Sequence, residues 1–509
     1  MYNNIKIMEE FKKNYKIANK HKSKNDYYLA IDYYKKALNY KNNNIKCLQE
    51  LCKSYESIGD YNNAIEYYKK IADNSTDFKL TVITLNEIGV LYNKILNYKE
   101  AIIYFKKVLS YKNDIQDVYS NLGLCYMSLK QYKLAEITFL IYLKLKQDNN
   151  INKNLANLYF YMKEYDKSIF FYKQITNESD NEKYINMYNL CFPYLAKKNY
   201  EIGFELYENR LKFNNINGQT NERDRLELDI PYWDGNEKCE KLLVIYEQGI
   251  GDNILYYRFI IQLSKLYPEL QITYFCKNNI SHIFKKYENI TILDDKLPIY
   301  NINAQFNYKI YIMSLPYLLK IKNIEISREN YININEEKDT YWNNKLQLLK
   351  DSSKKLNVGF IYKGLLTSFI EKNIPLEDFE LLTELNVNLI CLHRQNEISE
   401  DLKNISFSDK ITTFEIDTDK AFDDTISLLK NIDLLISIDT SIVHLAGVLN
   451  VKTLLLLGYG SDWRWFSDNK KVWYDSVEII RMNENKDLKN ILPKVSEVVK
   501  NMLIEKSRE

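Results

Sequence analysis

Residues 434–466 read LLISIDTSIVHLAGVLNVKTLLLLGYGSDWRWF, and this stretch decides the fold of the C-terminal half. Its first five residues, 434–438, are a short apolar run with the length and β-branched content of a buried strand. Asp439, Thr440 and Ser441 follow at once, and these residue types cap helices. Apolar residues then recur from Ile442 to Leu449 over a helical length, and residues 453–457 form a second strand-like run closed by Gly458. Strand, capped helix, strand is one βαβ unit of a parallel sheet. Its helix N-terminus falls at the carboxyl end of a strand, where open α/β sheets bind ligands. Backbone N–H groups and the helix dipole favour an anion such as a diphosphate there. Asp439 and Thr440 also read as plain caps of a structural helix that binds nothing.

Working outward, a second strand-to-helix turn lies at residues 241–266. KLLVIY at 241–246 is a buried-strand run, followed by Glu247-Gln248-Gly249-Ile250-Gly251-Asp252 and a helical segment at 253–266. Glycines at such a turn let the backbone approach a ligand closely, although the third glycine of the dinucleotide fingerprint is missing. Asp252 at the mouth of the turn suits a proton acceptor for a substrate hydroxyl, and suits a helix cap equally well. Residues 271–276, 290–293 and 308–312 are further strands and residues 281–286 a helix, which together make one α/β lobe. The second lobe adds strands at 358–362 and 387–392 and helices at 374–385 and 422–429. Lys363 and Lys372 follow its first strand as candidate cations for a diphosphate, with surface solvation as the alternative. Trp463, Arg464 and Trp465 cluster beyond its last predicted strand, either as packing or as a platform for a base or sugar ring.

The first 212 residues repeat. AIDYYKKA starts at Ala30, AIEYYKKI at Ala64, AIIYFKKV at Ala101, AEITFLIY at Ala135, SIFFYKQI at Ser168 and GFELYENR at Gly203. A second series of small residues, Ala18, Cys52, Gly89, Gly123, Ala156 and Cys191, keeps the same beat, each followed three positions later by Tyr or another large residue. This is the tetratricopeptide pattern of helix–turn–helix units about 34 residues long, which stack into an α-solenoid with an extended binding face. Asn121, Asn154 and Asn189 each precede a small landmark by two residues. Side-chain amides both donate and accept, so such a ladder can grip a peptide backbone whatever its sequence. Asn is also common in this chain, which leaves repeat packing as the alternative.

Composition bounds the rest. At 509 residues the chain has room for several domains, expected at 1–212 (repeats), 213–240 (linker), 241–350 (first lobe) and 351–509 (second lobe). Lys+Arg total 70 against 68 Asp+Glu, so no general basic field exists for nucleic acid or membranes. Only 13 Gly and 7 Pro favour long helices. The N-terminus lacks the apolar core of a signal peptide, and no run approaches membrane-spanning length. Seven scattered cysteines without a CxxC pair read as reduced thiols in a cytoplasm and not as a zinc site.

EQGIGDNILYYRF from Glu247, SIDTSIVHLAGVLN from Ser437 and GSDWRWF from Gly460 together resemble the catalytic region of bacterial tetratricopeptide-repeat glycosyltransferases, relatives of the ADP-heptose heptosyltransferases of glycosyltransferase family 9. The resemblance implies a GT-B-like fold, two Rossmann-like lobes around a cleft, with metal-independent, inverting transfer from a nucleotide diphosphate sugar and no further cofactor. It matches Asp252 to the general base, with Gly249 and Gly251 in the same turn, and Lys372 to the lysine that holds the donor phosphate. Asp439, Thr440, Ser441, His444 and Gly447 match a donor-binding DTxxxHLxG signature. The chain departs from the family in LLTSFIE before Lys372, in Cys391-Leu392-His393 and at Asn450. The expectation is a cytoplasmic glycosyltransferase whose repeats recruit a polypeptide acceptor. The rivals are a non-catalytic repeat scaffold with a decayed transferase domain, and transfer to a glycan or lipid.

Overall fold

The computed structural model describes residues 2–176, 179–213, 228–277, 279–294, 305–326, 328–349, 356–364, 373–417, 420–459, 462–465, 473–482 and 491–508. They form two compact units, Met1–Thr176 and Asn177–Glu509.

The first unit is helical. Its helices are α1 (Tyr2–Lys22), α2 (Tyr27–Tyr40), α3 (Ile45–Ser57), α4 (Tyr61–Asn74), α5 (Phe78–Lys94), α6 (Tyr98–Tyr111), α7 (Gln116–Ser128), α8 (Tyr132–Leu145), α9 (Asn149–Tyr161) and α10 (Tyr165–Lys173). They pair in order as five repeats, and the small landmarks sit where the paired helices meet. A Cβ on Gly89 would lie 2.7 Å from the Phe105 ring, and one on Gly123 would lie 2.4 Å from the Phe139 ring. A small residue on the first helix therefore admits a large one from the second, and Phe105 and Phe139 are fully buried. The turn inside each repeat has one construction. Asn25, Gly59, Leu96, Lys130 and Lys163 adopt left-handed φ of 61°, 76°, 61°, 58° and 61°. The next N–H closes back to the carbonyl five residues earlier, as in Asp60 to Tyr55, Asn97 to Tyr92 and Gln131 to Tyr126. That bond satisfies a carbonyl orphaned at the helix end.

The second unit opens with a sixth helix pair, α11 (Asp180–Ala196) and α12 (Tyr200–Tyr207), followed by a 3-10 turn at Glu208–Leu211. The unit boundary thus falls one repeat earlier than residue 212. Then come β1 (Lys241–Ile245), α13 (Ile250–Leu266), β2 (Gln271–Cys276), β3 (Ile290–Asp294), β4 (Tyr308–Tyr311), α14 (Leu315–Leu318) and α15 (Glu336–Leu349). Strands β1 to β4 make a sheet in the order β3-β2-β1-β4, every pair parallel.

A second sheet uses β5 (Leu356–Ile361), β6 (Val387–Cys391), β7 (Ile411–Thr413), β8 (Leu434–Ile438), β9 (Thr453–Leu457) and β10 (Val477–Arg481). Its helices are α16 (Glu380–Thr383), α17 (Gln395–Lys403), α18 (Asp423–Asn431), α19 (Ser441–Val448) and α20 (Leu492–Arg508). The strands are all parallel in the order β10-β9-β8-β5-β6-β7, which is the doubly wound order counted from β5. β5, β8 and β9 are buried at every residue, as continuous apolar runs in a parallel sheet must be.

Two helix expectations fail. Residues 281–286 give only a 3-10 turn at Ser281–Ile283, after which Phe284 pairs in a bridge with Ile332. Residues 374–385 give a 3-10 turn at Leu376–Phe379 and the single turn α16, too short to propagate as a helix.

Candidate functional site

The site begins where β1 hands over to α13. Gln248 takes φ +63°, and Gly249 is the N-cap residue. Asn253 fixes the turn by donating to the Glu247 and Gly249 carbonyls at 3.0 and 2.7 Å, and it accepts from the Tyr274 hydroxyl at 2.7 Å. Asp252 Oδ2 accepts from the Gly249 N–H at 3.2 Å, so this carboxylate does cap its own helix. Its other oxygen lies 2.7 Å from Arg464 Nη2. Burial pushes the Asp252 carboxyl above the usual aspartate value, against the opposing pull of Arg464.

The second half of the site lies at the switch point of the six-stranded sheet, between β5 and β8. Thr440 is the N-cap residue of α19 but makes no side-chain capping bond, and its Oγ1 is buried without a partner. A Cβ on Gly364, beyond β5, would lie 3.4 Å from the Thr440 methyl. The two helix N-termini abut: a Cβ on Gly251 would meet His444 Cδ2 at 3.0 Å and Ser441 Cα at 3.3 Å. Gly251 is therefore a close-approach glycine. Gly447 is another, since a Cβ there would stand 2.3 Å from the Tyr474 ring. Gly249 sits at an ordinary φ of −78°.

His444 is buried, stacks on Trp465 with centroids 5.3 Å apart, and shares a 3.2 Å hydrogen bond between Nδ1 and the Tyr474 hydroxyl. Burial lowers its pKa to about 4, so the ring is neutral at pH 7. Asp439 Oδ1 accepts from Trp465 Nε1 at 2.9 Å, which ties the 463–465 turn to the α19 N-terminus. Arg464 collects the remaining charges. It donates to Asp462 at 2.9 and 3.1 Å and to Gln248 Oε1 at 3.2 Å, while its Nε is buried without a partner. Trp463 Nε1 is likewise buried and unpartnered.

Lys372, expected to hold a phosphate, lies outside the described residues. Lys363 is engaged by Asp401 Oδ2 at 2.7 Å and by the Glu397 carbonyl at 2.6 Å. The site also has components that the sequence did not announce. Arg210, just past α12, makes a two-pronged pair with Glu247 at 3.0 and 2.8 Å and reaches Ser314 at 2.7 Å. The Tyr207 hydroxyl accepts from Gln248 Nε2. The sixth helix pair thus clamps the strand-to-helix turn that presents Asp252. Only one sequence signal pointed to Arg464, its place between two tryptophans; Arg210 had none.

The amide positions divide between the units. Asn121 on α7 and Asn154 on α9 are half-buried at one register, and Asn189 holds that register on α11. The same register in the earlier repeats carries Lys16, Glu50 and Glu87. Burial and the neighbouring Glu56 push the Glu87 carboxyl up.

The N-terminal part of the chain carries tetratricopeptide repeats, and an α/β region of parallel sheets follows them. A tetratricopeptide-repeat family model matches residues 46–75, 83–115 and 116–149. Similar solved structures include the MamA protein, 22% identical over 41% of this chain and 97% of that one with a TM-score of 0.30. A tetratricopeptide repeat protein from Parabacteroides merdae is 16% identical over 51% and 89%, with a TM-score of 0.35. YrrB, described as a TPR protein with an unusual peptide-binding site, is 16% identical over 32% and 82%, with a TM-score of 0.28. None of the curated proteins compared with the chain matches it. Among the described residues, no helix is long and apolar enough to cross a membrane.

Proposed function

We propose that this chain is a glycosyltransferase of GT-B-like build, in which the α/β region binds a nucleoside diphosphate sugar and the repeats recruit a polypeptide acceptor. One observation carries the reading: Thr440 Oγ1 is buried without a partner at an uncapped helix N-terminus on a sheet switch point, and the turn that Trp465 ties to that N-terminus holds two more such atoms, Arg464 Nε and Trp463 Nε1. Each such group costs on the order of 1–3 kcal/mol when left unpaired. A diphosphate would supply acceptors to the Thr440 hydroxyl and to the N–H groups at the start of α19.

In this reading Ser441 and the α19 N-terminus hold the diphosphate together with Lys372, and Asp439 fixes the tryptophan turn beside it. His444 and Gly447 act through packing. Asp252 takes the proton of the acceptor hydroxyl, and its burial-raised proton affinity suits a base. Arg464 must first leave its carboxylate for the incoming anion. Asn121, Asn154 and Asn189 grip the acceptor backbone.

A thermal-shift series with nucleoside diphosphates and nucleotide sugars tests the donor half, because a ligand of the folded state raises its melting temperature. At least one nucleotide should do so. Lys372→Ala should weaken that binding, whereas Lys363→Ala, which breaks the pair with Asp401, should not. With the productive donor, Asp252→Asn should keep the fold and lose roughly a hundredfold in transfer. No shift with any nucleotide would overturn the proposal. The second reading, a repeat scaffold without catalysis, is favoured by the engagement of both Asp252 oxygens, one by the Gly249 N–H and one by Arg464. It expects Asp252→Asn to lower stability alone.

A further inference from the structure

We propose that the outer face of α6, α8 and α10 is a docking surface for an acidic polypeptide segment with apolar anchors, distinct from the amide-lined first-helix face. Two positions after each second-helix landmark, the six repeats carry Asp32, Glu66, Ile103, Ile137, Phe170 and Glu205. The register is a solvent register: Asp32, Glu66 and Glu205 are exposed, as their charge requires. Ile103, Ile137 and Phe170 are 45%, 54% and 55% exposed at that same register. Repeat packing therefore gives no reason for three successive apolar side chains there. Leu134 on α8, 45% exposed, widens the stripe.

Charge identifies the occupant. α6, α8 and α10 carry Lys99, Lys106, Lys107, Lys133, Lys144, Lys167 and Lys173, all exposed, against Glu100, Glu136 and Asp166. Glu136 accepts from the Tyr159 hydroxyl at 2.7 Å, and Lys133 and Lys167 are ion-paired with Glu136 and with Glu164 just before α10, so the excess of the frame rests on Lys99, Lys106, Lys107, Lys144 and Lys173. A line of apolar knobs in a lysine frame complements a linear segment with apolar anchors and carboxylate flanks. A bilayer surface asks for a broad apolar face, and these helices spend theirs on the solenoid core, where Ala101, Phe105, Ala135 and Phe139 are buried. A second copy offers no complement either, because α2 and α4 bear Lys35, Lys36, Lys69 and Lys70 beside their carboxylates.

The test uses the full chain and a labelled synthetic 21-residue helix with Leu on one face and Glu on the other, read by fluorescence anisotropy at low salt. The wild type should bind it and should ignore the same peptide with Lys in place of Glu. Ile103→Glu/Ile137→Glu/Phe170→Glu copies residues that the first two repeats already accommodate, so it should melt as the wild type does while binding falls roughly tenfold or more. Neutralising Lys106, Lys107 and Lys173 to Gln, with the stripe intact, should also weaken binding. Undiminished binding by the triple variant overturns the proposal. So does equal affinity for the Lys peptide, or a stripe-dependent attachment to phosphatidylglycerol vesicles without peptide binding, which would make the face a membrane contact. A wild-type dimer that the triple variant dissolves would assign the face to a second copy instead.

Discussion

The two units differ most in where they keep their charges. In the helical unit six helix starts are sealed by a side chain: Asp26, Asn44, Asp60, Asp77, Asn97 and Asp148 each accept a backbone N–H from the first turn, whereas α7, α8 and α10 start without such a cap. Its ion pairs are surface pairs such as Lys70–Glu66, with both side chains about half exposed. In the α/β unit, α19 starts without a side-chain cap, and the ion pair Arg210–Glu247 is buried at 2% and 6% side-chain exposure. Sealed ends and exposed pairs make a repeat that stands by itself. Buried charge is costly unless something uses it, and Arg210–Glu247 together with the buried Arg464–Asp252 pair marks the candidate site.

The largest test of this contrast is Arg210→Ala. It takes the Arg210 guanidinium from the buried Glu247, which should cost about 3–5 kcal/mol in urea denaturation. The matched change in the helical unit, Lys70→Ala, should cost under about 0.5 kcal/mol. Comparable small losses would mean that the buried pair does not organise the turn before Asp252. Arg210→Met with Glu247→Leu should recover part of the loss, because it removes the Glu247 charge while Glu208, the other carboxylate on Arg210, stays.

Acidification should separate the regions next. Burial lowers the His444 and His393 pKa values to about 4, for His393 with a second push from Lys363. The unfolded chain binds a proton near pH 6.5 that the folded ring refuses. Stability from each ring is therefore complete above pH 6.5 and drains away as pH falls toward 4, by about 2–3 kcal/mol. Urea midpoints of wild type and His444→Gln between pH 7 and 4.5 check this. The variant should show a shallower decline, and parallel curves would remove His444 from the titration.

A smaller effect tests the open helix end itself. Thr440→Val removes a buried hydroxyl that has no partner, so stability should hold or rise slightly. Nucleotide affinity should fall about tenfold if that hydroxyl contacts a phosphate. Asp60→Ala in the helical unit removes a working cap and should cost about 1 kcal/mol. A similar cost at Thr440 would make it a cap after all and would weaken the ligand reading.

How much of this was legible depends on the range of the interaction. The repeat beat was visible because Gly123 and Phe139 must fit one another in every unit, which imposes a period on the sequence. β8 and β9 were readable to the residue as continuous apolar runs, and β2 from its β-branched and aromatic content. Lobe order and partner choice were not, since nothing local marks β5 as the neighbour of β8. Arg210 and Glu247 lie 37 positions apart, and Arg464 and Gln248 lie 216 apart. No periodicity links such pairs, so the chemistry of the site surfaced only once the chain was folded. Gly251 stood out as a glycine for close ligand approach and Gly447 as the end of the resembled donor-binding signature; in the structure their missing Cβ atoms make room for helix and ring packing.

The left-handed turn residues were equally hidden, and they support the smallest prediction. Gly59 is the glycine of that series in the first unit; Leu96, Lys130 and Lys163 hold the same conformation with a side chain. A Cβ in that region costs about 1 kcal/mol, offset in part by the extra freedom that glycine gives the unfolded chain. Lys130→Gly should therefore raise stability by about 0.5 kcal/mol, since the Gln131 N–H to Tyr126 carbonyl bond that closes the turn needs no side chain. Lys133→Gly, three residues on and in the first turn of α8, should lose up to about 1 kcal/mol through helix propensity and its ion pair with Glu136. Thermal melts of the two variants side by side decide it. If both lose stability equally, the backbone at Lys130 carries no cost, and the helical unit is sealed by its side-chain caps without help from its turns.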